Sequence, residues 1–207
     1  MVVLGITGGI GSGKGLATEF FRSRGAAILD ADQIARELAQ PGSQMLAQLA
    51  AAFGEETLRA DGSLNRKRLA ELVFGRLAAV AKLNAITHPP ILAEVKRRLA
   101  SMRSQGKAAL ACVVAPLLLE AGGRDLVDRL LVVTADEGER VGRVRKRDGL
   151  SEEEVRLRMA AQMPVEEQAR QADWVLDTTG GREQAIEQLE RIWGEVIGWQ
   201  EASGLGS

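Results

Sequence analysis

Apolar residues form five short runs along the chain, and the segments between the runs carry apolar residues at helical spacing. Continuous apolar runs of strand length are typical of strands buried on both faces, and their alternation with helices indicates a parallel sheet covered on both sides. The pattern therefore predicts an α/β fold. The runs are residues 2–6, 26–29, 108–115, 130–134 and 174–176.

The stretch between the second and third runs is too long for a simple crossover. It spans roughly 80 residues, whereas a crossover between parallel strands needs one helix, so the surplus predicts a helical insertion. Proline and glycine at 41–42, 61–62 and 88–90 predict turns or helix stops within it. The predicted helices are residues 33–40, 43–53, 66–76, 80–86 and 91–104.

A second long segment, residues 136–170, is charged and rich in arginine. Arg140, Arg143 and Arg147 are spaced by three and four residues, which places them on one face if the segment is helical. Two interpretations stay open: a solvated pair of helices, or a lid that brings arginines over a phosphate. Residues 201–207 are expected to fray.

Composition limits the class of protein. The chain has 207 residues, and its 27 Lys and Arg balance 28 Asp and Glu to a net charge of −1. One core with inserted pieces fits this length, and the charge argues against a general nucleic-acid or membrane-surface binder. A lone cysteine, Cys112, lies in an apolar run and fits a reducing cytosol. Because no secretory signal or membrane-length apolar stretch is found, we expect a cytoplasmic protein.

Residues 8–14, here called the glycine loop, have the sequence Gly8-Gly9-Ile10-Gly11-Ser12-Gly13-Lys14 and follow the first strand. Glycines let several N–H groups point into one concavity, the following helix adds positive charge, and Lys14 can reach the outer phosphates of a nucleotide. The loop therefore predicts a nucleoside triphosphate site. The usual pattern continues with Ser or Thr, whose hydroxyl holds Mg²⁺, and here that position is Gly15. The alternative is that these glycines only form a tight turn between the strand and the helix, without binding a ligand.

Two acids follow the second strand, at the edge of the sheet where ligands bind in parallel α/β folds. Beside a triphosphate, Asp30 or Asp32 can accept a proton from an attacking hydroxyl or help to hold Mg²⁺. Asp32 is equally well placed to cap the next helix. His88 is the one histidine, and we favour a turn residue over a catalyst there.

A series of motifs resembles the dephospho-CoA kinase family from the first strand to about residue 192. They lie at residues 5–14, 29–32, 35–36, 41–42, 61–66, 83–89, 116–120, 147–148, 158–162 and 172–173. The resemblance implies a three-layer P-loop kinase fold with a five-stranded parallel sheet, a helical substrate-binding insertion and a helical lid. The implied nucleotide-binding core is residues 1–31, 105–135 and 171–200, the insertion for CoA is 32–104, the lid is 136–170 and the flexible tail is 201–207.

The resemblance also implies a reaction, in which the γ-phosphate of ATP moves to the ribose 3′-hydroxyl of 3′-dephospho-CoA and yields CoA and ADP. ATP and Mg²⁺ are the implied cofactors, and the implied partner is this small-molecule substrate, with no nucleic acid or membrane, for a monomer or weak homo-oligomer. The catalytic residues that the resemblance implies are Asp32 as general base, Lys14, Arg140 and Arg147, and Asp32 is also the implied metal ligand. The implied ATP site is Gly9, Ile10, Gly11, Ser12, Gly13, Lys14, Gly15 and Leu16, and the implied acceptor site is Thr7, Asp32, Arg66, Asn84 and His88.

The chain departs from the family pattern at several positions. Gly15 lacks the hydroxyl expected at the metal, Gln168 stands where Lys is frequent, and Thr178 stands where Asn is common; Leu16 and Leu119 are further differences. Two alternatives stay open. One is a kinase for another nucleotide or small alcohol, and the other is a nucleotide-binding regulator without catalysis, which Gly15 favours.

Overall fold

A computed structural model describes residues 1–106 and 108–202, and within them five parallel strands form one sheet. The order across the sheet is β2-β3-β1-β4-β5. Each predicted strand is confirmed within a few residues at its ends. The strands are β1 (Val2–Thr7), β2 (Ala27–Asp30), β3 (Leu110–Val114), β4 (Arg129–Thr134) and β5 (Trp174–Asp177).

One helix, α1, connects β1 to β2, a short 3-10 helix (Gly123–Leu126) lies between β3 and β4, and two longer helical segments make the other connections. The segment from α2 to α5 separates β2 from β3, and the segment from α6 to α8 separates β4 from β5. The helices are α1 (Lys14–Ser23), α2 (Ala31–Leu38), α3 (Gln44–Phe53), α4 (Arg66–Val73), α5 (Leu77–Gln105), α6 (Glu137–Asp148), α7 (Glu152–Ala160), α8 (Val165–Arg170) and α9 (Gly181–Ala202). Glu201 and Ala202 thus end α9, and the remainder of the expected tail, 203–207, lies outside the described residues.

Successive side chains of the strands point to opposite faces of the sheet and pack in two hydrophobic layers. Leu4 and Ile6 of β1 pack with Phe21 of α1 and Leu189 of α9 on one face of the sheet. The opposite face packs against α2 and α5 through another set of buried side chains, which includes Val3, Ile34, Val95 and Leu99. This arrangement of helices on both faces confirms the three-layer α/β prediction.

The predicted helix stop at residues 88–90 is wrong, because α5 runs without interruption through His88, Pro89 and Pro90. Proline lacks an N–H and disfavours helical backbone in the residue before it, which is why the sequence predicted a break. Packing overrides that local preference, since α5 contacts α2, α3 and α4 along its length. His88 is consequently a helical residue on α5.

The α2–α5 and α6–α8 segments each bury apolar side chains of their own. Leu46 and Leu49 of α3 pack with Leu69 and Val73 of α4 in the first segment. Val144 of α6 packs with Val155 of α7 in the second, smaller cluster. The two segments therefore have local cores beside the sheet, and they flank the carboxyl ends of its strands. No helix among the described residues combines the length and apolarity that crossing a membrane requires.

Candidate active site

The glycine loop joins β1 to α1 at the carboxyl edge of the sheet. Its backbone requires glycine: Gly8, Gly11 and Gly13 have φ values of 141°, 78° and 89°, in the left-handed half of backbone space. A Cβ at Gly8 would also lie 2.2 Å from the carbonyl oxygen of Val133. Within the described residues, the N–H groups of Gly11 and Gly13 have no protein acceptor. They are donors available for an anion at the start of α1.

Side chains from the α6–α8 segment hold this loop from outside. Arg140, 7% exposed, donates from Nε to the carbonyl of Ile10 at 3.0 Å. The amide of the same residue, Ile10, donates to Gln162 Oε1 at 2.8 Å. A Cβ at Gly9 would lie 2.2 Å from Arg140 Nη2, so glycine is required there by the close approach of the guanidinium. The loop and the α6–α8 segment therefore form one packed unit.

Lys14 folds back over the loop. Its Nζ donates to the carbonyls of Gly8 and Gly9 at 2.6 and 3.0 Å. Burial lowers the pKa of Lys14 from 10.5 to about 8, and the nearby positive charges of Arg140 and Arg147 act in the same direction, whereas the Asp32 carboxylate opposes them. The ammonium is thus charged at neutral pH but weakly solvated, which favours transfer of its contacts to an anionic ligand.

Asp32 leaves its carboxylate free toward the cavity. The cap of α2 is Asp30, whose Oδ1 accepts from the amides of Asp32 and Gln33 at 2.8 and 3.2 Å, so the alternative that Asp32 caps this helix is wrong. Asp32 lines the cavity, and partial desolvation raises the pKa of its carboxyl above 3.8, with the negative charge of Asp30 adding to this. Lys14 is the leading opposing charge. A carboxylate of raised basicity beside an ammonium suits proton transfer next to a phosphate.

The helix α6 presents its arginines to the loop and the cavity, as the spacing predicted. Arg140 contacts Ile10, Arg143 approaches Gly11, and Arg147 lines the cavity while it pairs with Asp148 through two hydrogen bonds of 2.7 and 2.8 Å. Arg158 of α7 also lines the cavity and lies over the ring of Phe74, 4.8 Å from its centroid. This placement favours the lid interpretation over a pair of solvated helices.

A cavity of about 1020 Å³ links the loop to the α2–α5 segment. Three of the predicted acceptor residues, Arg66, Asn84 and His88, line it together with Asp32. Thr7 does not; it is fully buried and donates weakly to the carbonyl of Pro116 at 3.4 Å. Burial lowers the pKa of His88 below 6.5, so its imidazole is neutral at pH 7.

The predicted nucleotide residues divide in the same way. Ile10, Gly11, Ser12, Gly13, Lys14 and Gly15 line the cavity. Gly9 lies instead under Arg140, and Leu16 packs against the core beneath the sheet.

The site has one carboxylate that suits Mg²⁺. Mg²⁺ in nucleotide sites uses one or two carboxylates together with phosphates and water, and Asp32 at the cavity meets that requirement. A Cβ at Gly15 would have no atom within 4 Å, so a serine would fit at this position without collision. Nowhere in residues 1–106 and 108–202 do three or more acidic, histidine or cysteine side chains gather as a metal cage.

Comparison with known proteins decides the family. The family model described as dephospho-CoA kinase matches residues 2–184. The chain belongs to the dephospho-CoA kinase family. The dephospho-CoA kinase of Syntrophotalea carbinolica is 43% identical over 197 residues, 95% of this chain and 93% of the relative.

Solved structures agree with this family. A crystal structure of a Thermus thermophilus protein matches with a TM-score of 0.74 and 37% identity over 95% of this chain and 96% of that one. Dephospho-CoA kinase from Campylobacter jejuni matches with a TM-score of 0.67 and 26% identity over 94% and 96% of the two chains. The P-loop kinase fold of this family member is thereby confirmed.

Proposed function

We propose that this protein is an ATP-dependent kinase that transfers the γ-phosphate of ATP to the ribose 3′-hydroxyl of 3′-dephospho-CoA, giving CoA and ADP in the final step of CoA biosynthesis. One observation carries the proposal, in a chain of this family: a single cavity joins the glycine loop, the carboxylate of Asp32, which does not cap α2, and the α2–α5 segment. The α2–α5 segment, which covers the predicted range 32–104, is then the acceptor-binding insertion. The α6–α8 segment, within residues 136–170, is then the lid.

The glycine loop binds the triphosphate. The amides of Gly11 and Gly13 and the start of α1 supply hydrogen bonds and positive potential to phosphate oxygens. Lys14 exchanges the carbonyls of Gly8 and Gly9 for oxygens of the transferring phosphoryl group, which is a stronger, charge-assisted contact. Arg147, beside Lys14 and open to the cavity, adds a second positive charge where negative charge spreads in the transition state.

Asp32 completes the transfer. Its carboxylate accepts the proton of the acceptor hydroxyl as the new bond from that oxygen to phosphorus forms and the bond from phosphorus to the β–γ bridging oxygen breaks. The electron pair of the broken bond leaves with ADP. Arg66, Asn84 and His88 line the route by which the acceptor reaches Asp32, and apolar side chains such as Leu49 and Leu69 line the cavity beyond them. Polar side chains near Asp32 and apolar side chains beyond them fit an acceptor that has a charged nucleotide at one end and a long organic arm at the other.

We propose Asp32 as the protein group that would hold Mg²⁺, with phosphates and water completing its shell. Bound Mg²⁺ neutralises charge on the phosphates during transfer. A cytoplasmic location, a monomer or weak homo-oligomer, and the lack of a nucleic-acid partner stay predictions.

The direct test is an acceptor panel. Purified protein with ATP and Mg²⁺ is incubated with dephospho-CoA, with nucleoside monophosphates or with small alcohols such as shikimate, and ADP release is measured by a coupled assay. We expect ADP release that depends on dephospho-CoA. Turnover only with another acceptor would identify a different kinase, and ATP binding without any transfer would identify a regulator.

The pH profile of kcat/KM for ATP should be bell-shaped. This parameter reports the free enzyme, in which Asp32 must be ionised and Lys14 protonated. Activity therefore rises with pH through the raised pKa of Asp32, above 3.8, and falls with pH as Lys14 loses its proton near its pKa of about 8. Lys14→Arg keeps the charge to higher pH and should move the alkaline limb upward even though its activity is lower. An alkaline limb that stays in place in this variant would contradict the assignment of that limb to Lys14.

Gly15→Ser should lower the Mg²⁺ concentration that gives half-maximal rate. The Cβ fits without collision, and the hydroxyl returns one oxygen ligand to the metal. One added contact is worth about 1 kcal/mol, which corresponds to a shift of about fivefold. Rates across a Mg²⁺ titration measure the effect, and Gly15→Ala separates the hydroxyl from the added carbon. Equal Mg²⁺ requirements in both variants would show that the hydroxyl does not reach the metal.

A further inference from the structure

Thr178, directly after β5, lies under the glycine loop and is 4% exposed. Its Oγ1 lies 2.9 Å from the carbonyl oxygen of Ser12 and 3.2 Å from that of Thr134. A Cβ at Gly13 would lie 3.1 Å from the same hydroxyl oxygen, so the loop and the threonine are in close contact. Thr178 is also one of the positions at which the chain departs from the family pattern.

Arg143 fixes the direction of the Thr178 hydroxyl. Its Nη1 donates to Thr178 Oγ1 at 2.7 Å, and its Nη2 donates to the carbonyl of Thr178 at 2.8 Å. A guanidinium can only donate, so Oγ1 accepts from Arg143 and must direct its own proton toward a carbonyl. The nearer of the two carbonyls is that of Ser12. The pair therefore delivers one oriented hydrogen bond to the loop.

This hydrogen bond determines where an amide of the loop points. In a trans peptide, the C=O of one residue and the N–H of the next point in opposite directions. With the Ser12 carbonyl turned to Thr178, the N–H of Gly13 faces the other side of the loop, toward the cavity that Gly13 lines. In the part of the chain that the structure describes, no acceptor takes up this N–H.

We propose that Thr178, oriented by Arg143, is a positioning residue for ATP: its hydroxyl holds the Ser12–Gly13 peptide so that the Gly13 amide points at the phosphates. The inference rests on the proposed use of the loop for ATP and is independent of which acceptor is phosphorylated. Thr178 is not among the described residues that line the cavity, so its hydroxyl acts on ATP through the Ser12–Gly13 peptide. It acts by removing the need for the peptide to reorient when the nucleotide binds.

The test compares three variants by calorimetric titration with ATP in the absence of acceptor, together with steady-state kinetics. Thr178→Val keeps the shape but loses the hydroxyl, and we expect ATP binding to weaken about tenfold, the worth of one buried hydrogen bond and its orphaned carbonyl. KM for ATP should rise equally, with kcat and KM for dephospho-CoA within about twofold of wild type. Thr178→Ser restores the hydroxyl and should recover most of the ATP affinity.

The matched control is Thr179→Val in the same turn. The Thr179 hydroxyl donates to Asp177 Oδ1 at 2.7 Å and accepts from the amide of Asp136 at 2.9 Å, and neither hydrogen bond reaches the glycine loop. It should lower the melting temperature without changing ATP affinity. Wild-type ATP affinity in Thr178→Val, or equal weakening in both valine variants, would overturn the proposal.

A second variant covers the case in which Thr178→Val does not fold. Arg143→Lys keeps a positive charge but cannot hold both Thr178 oxygens, so ATP affinity should fall several-fold. Unchanged affinity in this variant would contradict the orienting role of Arg143. ATP binding is measured without acceptor, so this test does not depend on which acceptor is phosphorylated. If the wild-type protein did not phosphorylate dephospho-CoA, the proposed function would be refuted, but the ATP affinities of the variants would still test the role of Thr178.

Discussion

Asp32→Asn should lower kcat by about 10²–10⁴-fold, the range found when a general base is removed. The amide occupies the same volume but cannot accept the proton of the acceptor hydroxyl. ATP affinity should stay within a few-fold of wild type, because the glycine loop and Lys14 are untouched and the loss falls on the transition state. Turnover measured at saturating substrates, beside ATP titration, separates these two effects.

Asp30→Asn is the matched control for this substitution. Asp30 is two residues away, and Asn accepts the amide hydrogen bonds of a helix cap about as well as Asp does. The control should therefore keep most of the turnover. Wild-type turnover in Asp32→Asn would show that Asp32 is not the base, and an equal loss in both variants would show that the two carboxylates act as one unit.

Lys14→Met should reduce kcat/KM for ATP by about 10²–10³-fold, the effect of removing one charged group from a preorganised phosphoryl-transfer site. The same change should raise the melting temperature at pH 7. The pKa of Lys14 falls from 10.5 to about 8 because burial disfavours its charged form, so the ammonium lowers stability as the pH falls from 10.5 toward about 8, and its full cost is present at pH 7. Kinetics and thermal unfolding should therefore show that Lys14→Met is less active but more stable than the wild-type protein.

Lys146→Met provides the comparison, since Lys146 is an exposed lysine on α6. It should change neither the kinetics nor the melting temperature measurably. A Lys14→Met protein that keeps wild-type kcat/KM would contradict the role of the ammonium. A lower melting temperature in that protein would show that the hydrogen bonds to Gly8 and Gly9 outweigh the cost of burying the charge.

The strands and the glycine loop could be predicted because their signals are local. Each strand is continuously apolar, and the glycine loop combines residues 8–14 with a preceding strand and a following helix. The helix through Pro89 and Pro90 could not, since it depends on packing against three other helices. The finding that Asp30 and not Asp32 caps α2 also needed the backbone, because an aspartate at either position can accept hydrogen bonds from amides of a helical first turn.

Long-range contacts of the site carried the weakest sequence signal. Gln162 meets Ile10 across 152 positions in the chain, and Thr178 meets Ser12 across 166. No periodicity or motif spacing links residues that far apart. The positions of Arg66, Asn84 and His88 on the cavity were predicted only through the family resemblance, and their contact with the acceptor stays a prediction.

The most direct test of the account is the ³¹P NMR spectrum of the product formed from ATP, Mg²⁺ and dephospho-CoA by the wild-type protein and by Asp32→Asn. The account predicts that wild-type protein produces a new phosphomonoester resonance at the ribose 3′-oxygen together with ADP, and that Asp32→Asn produces it at a rate lower by about two orders of magnitude or more. A phosphate at another oxygen, inorganic phosphate alone, or equal rates from the two proteins would contradict it.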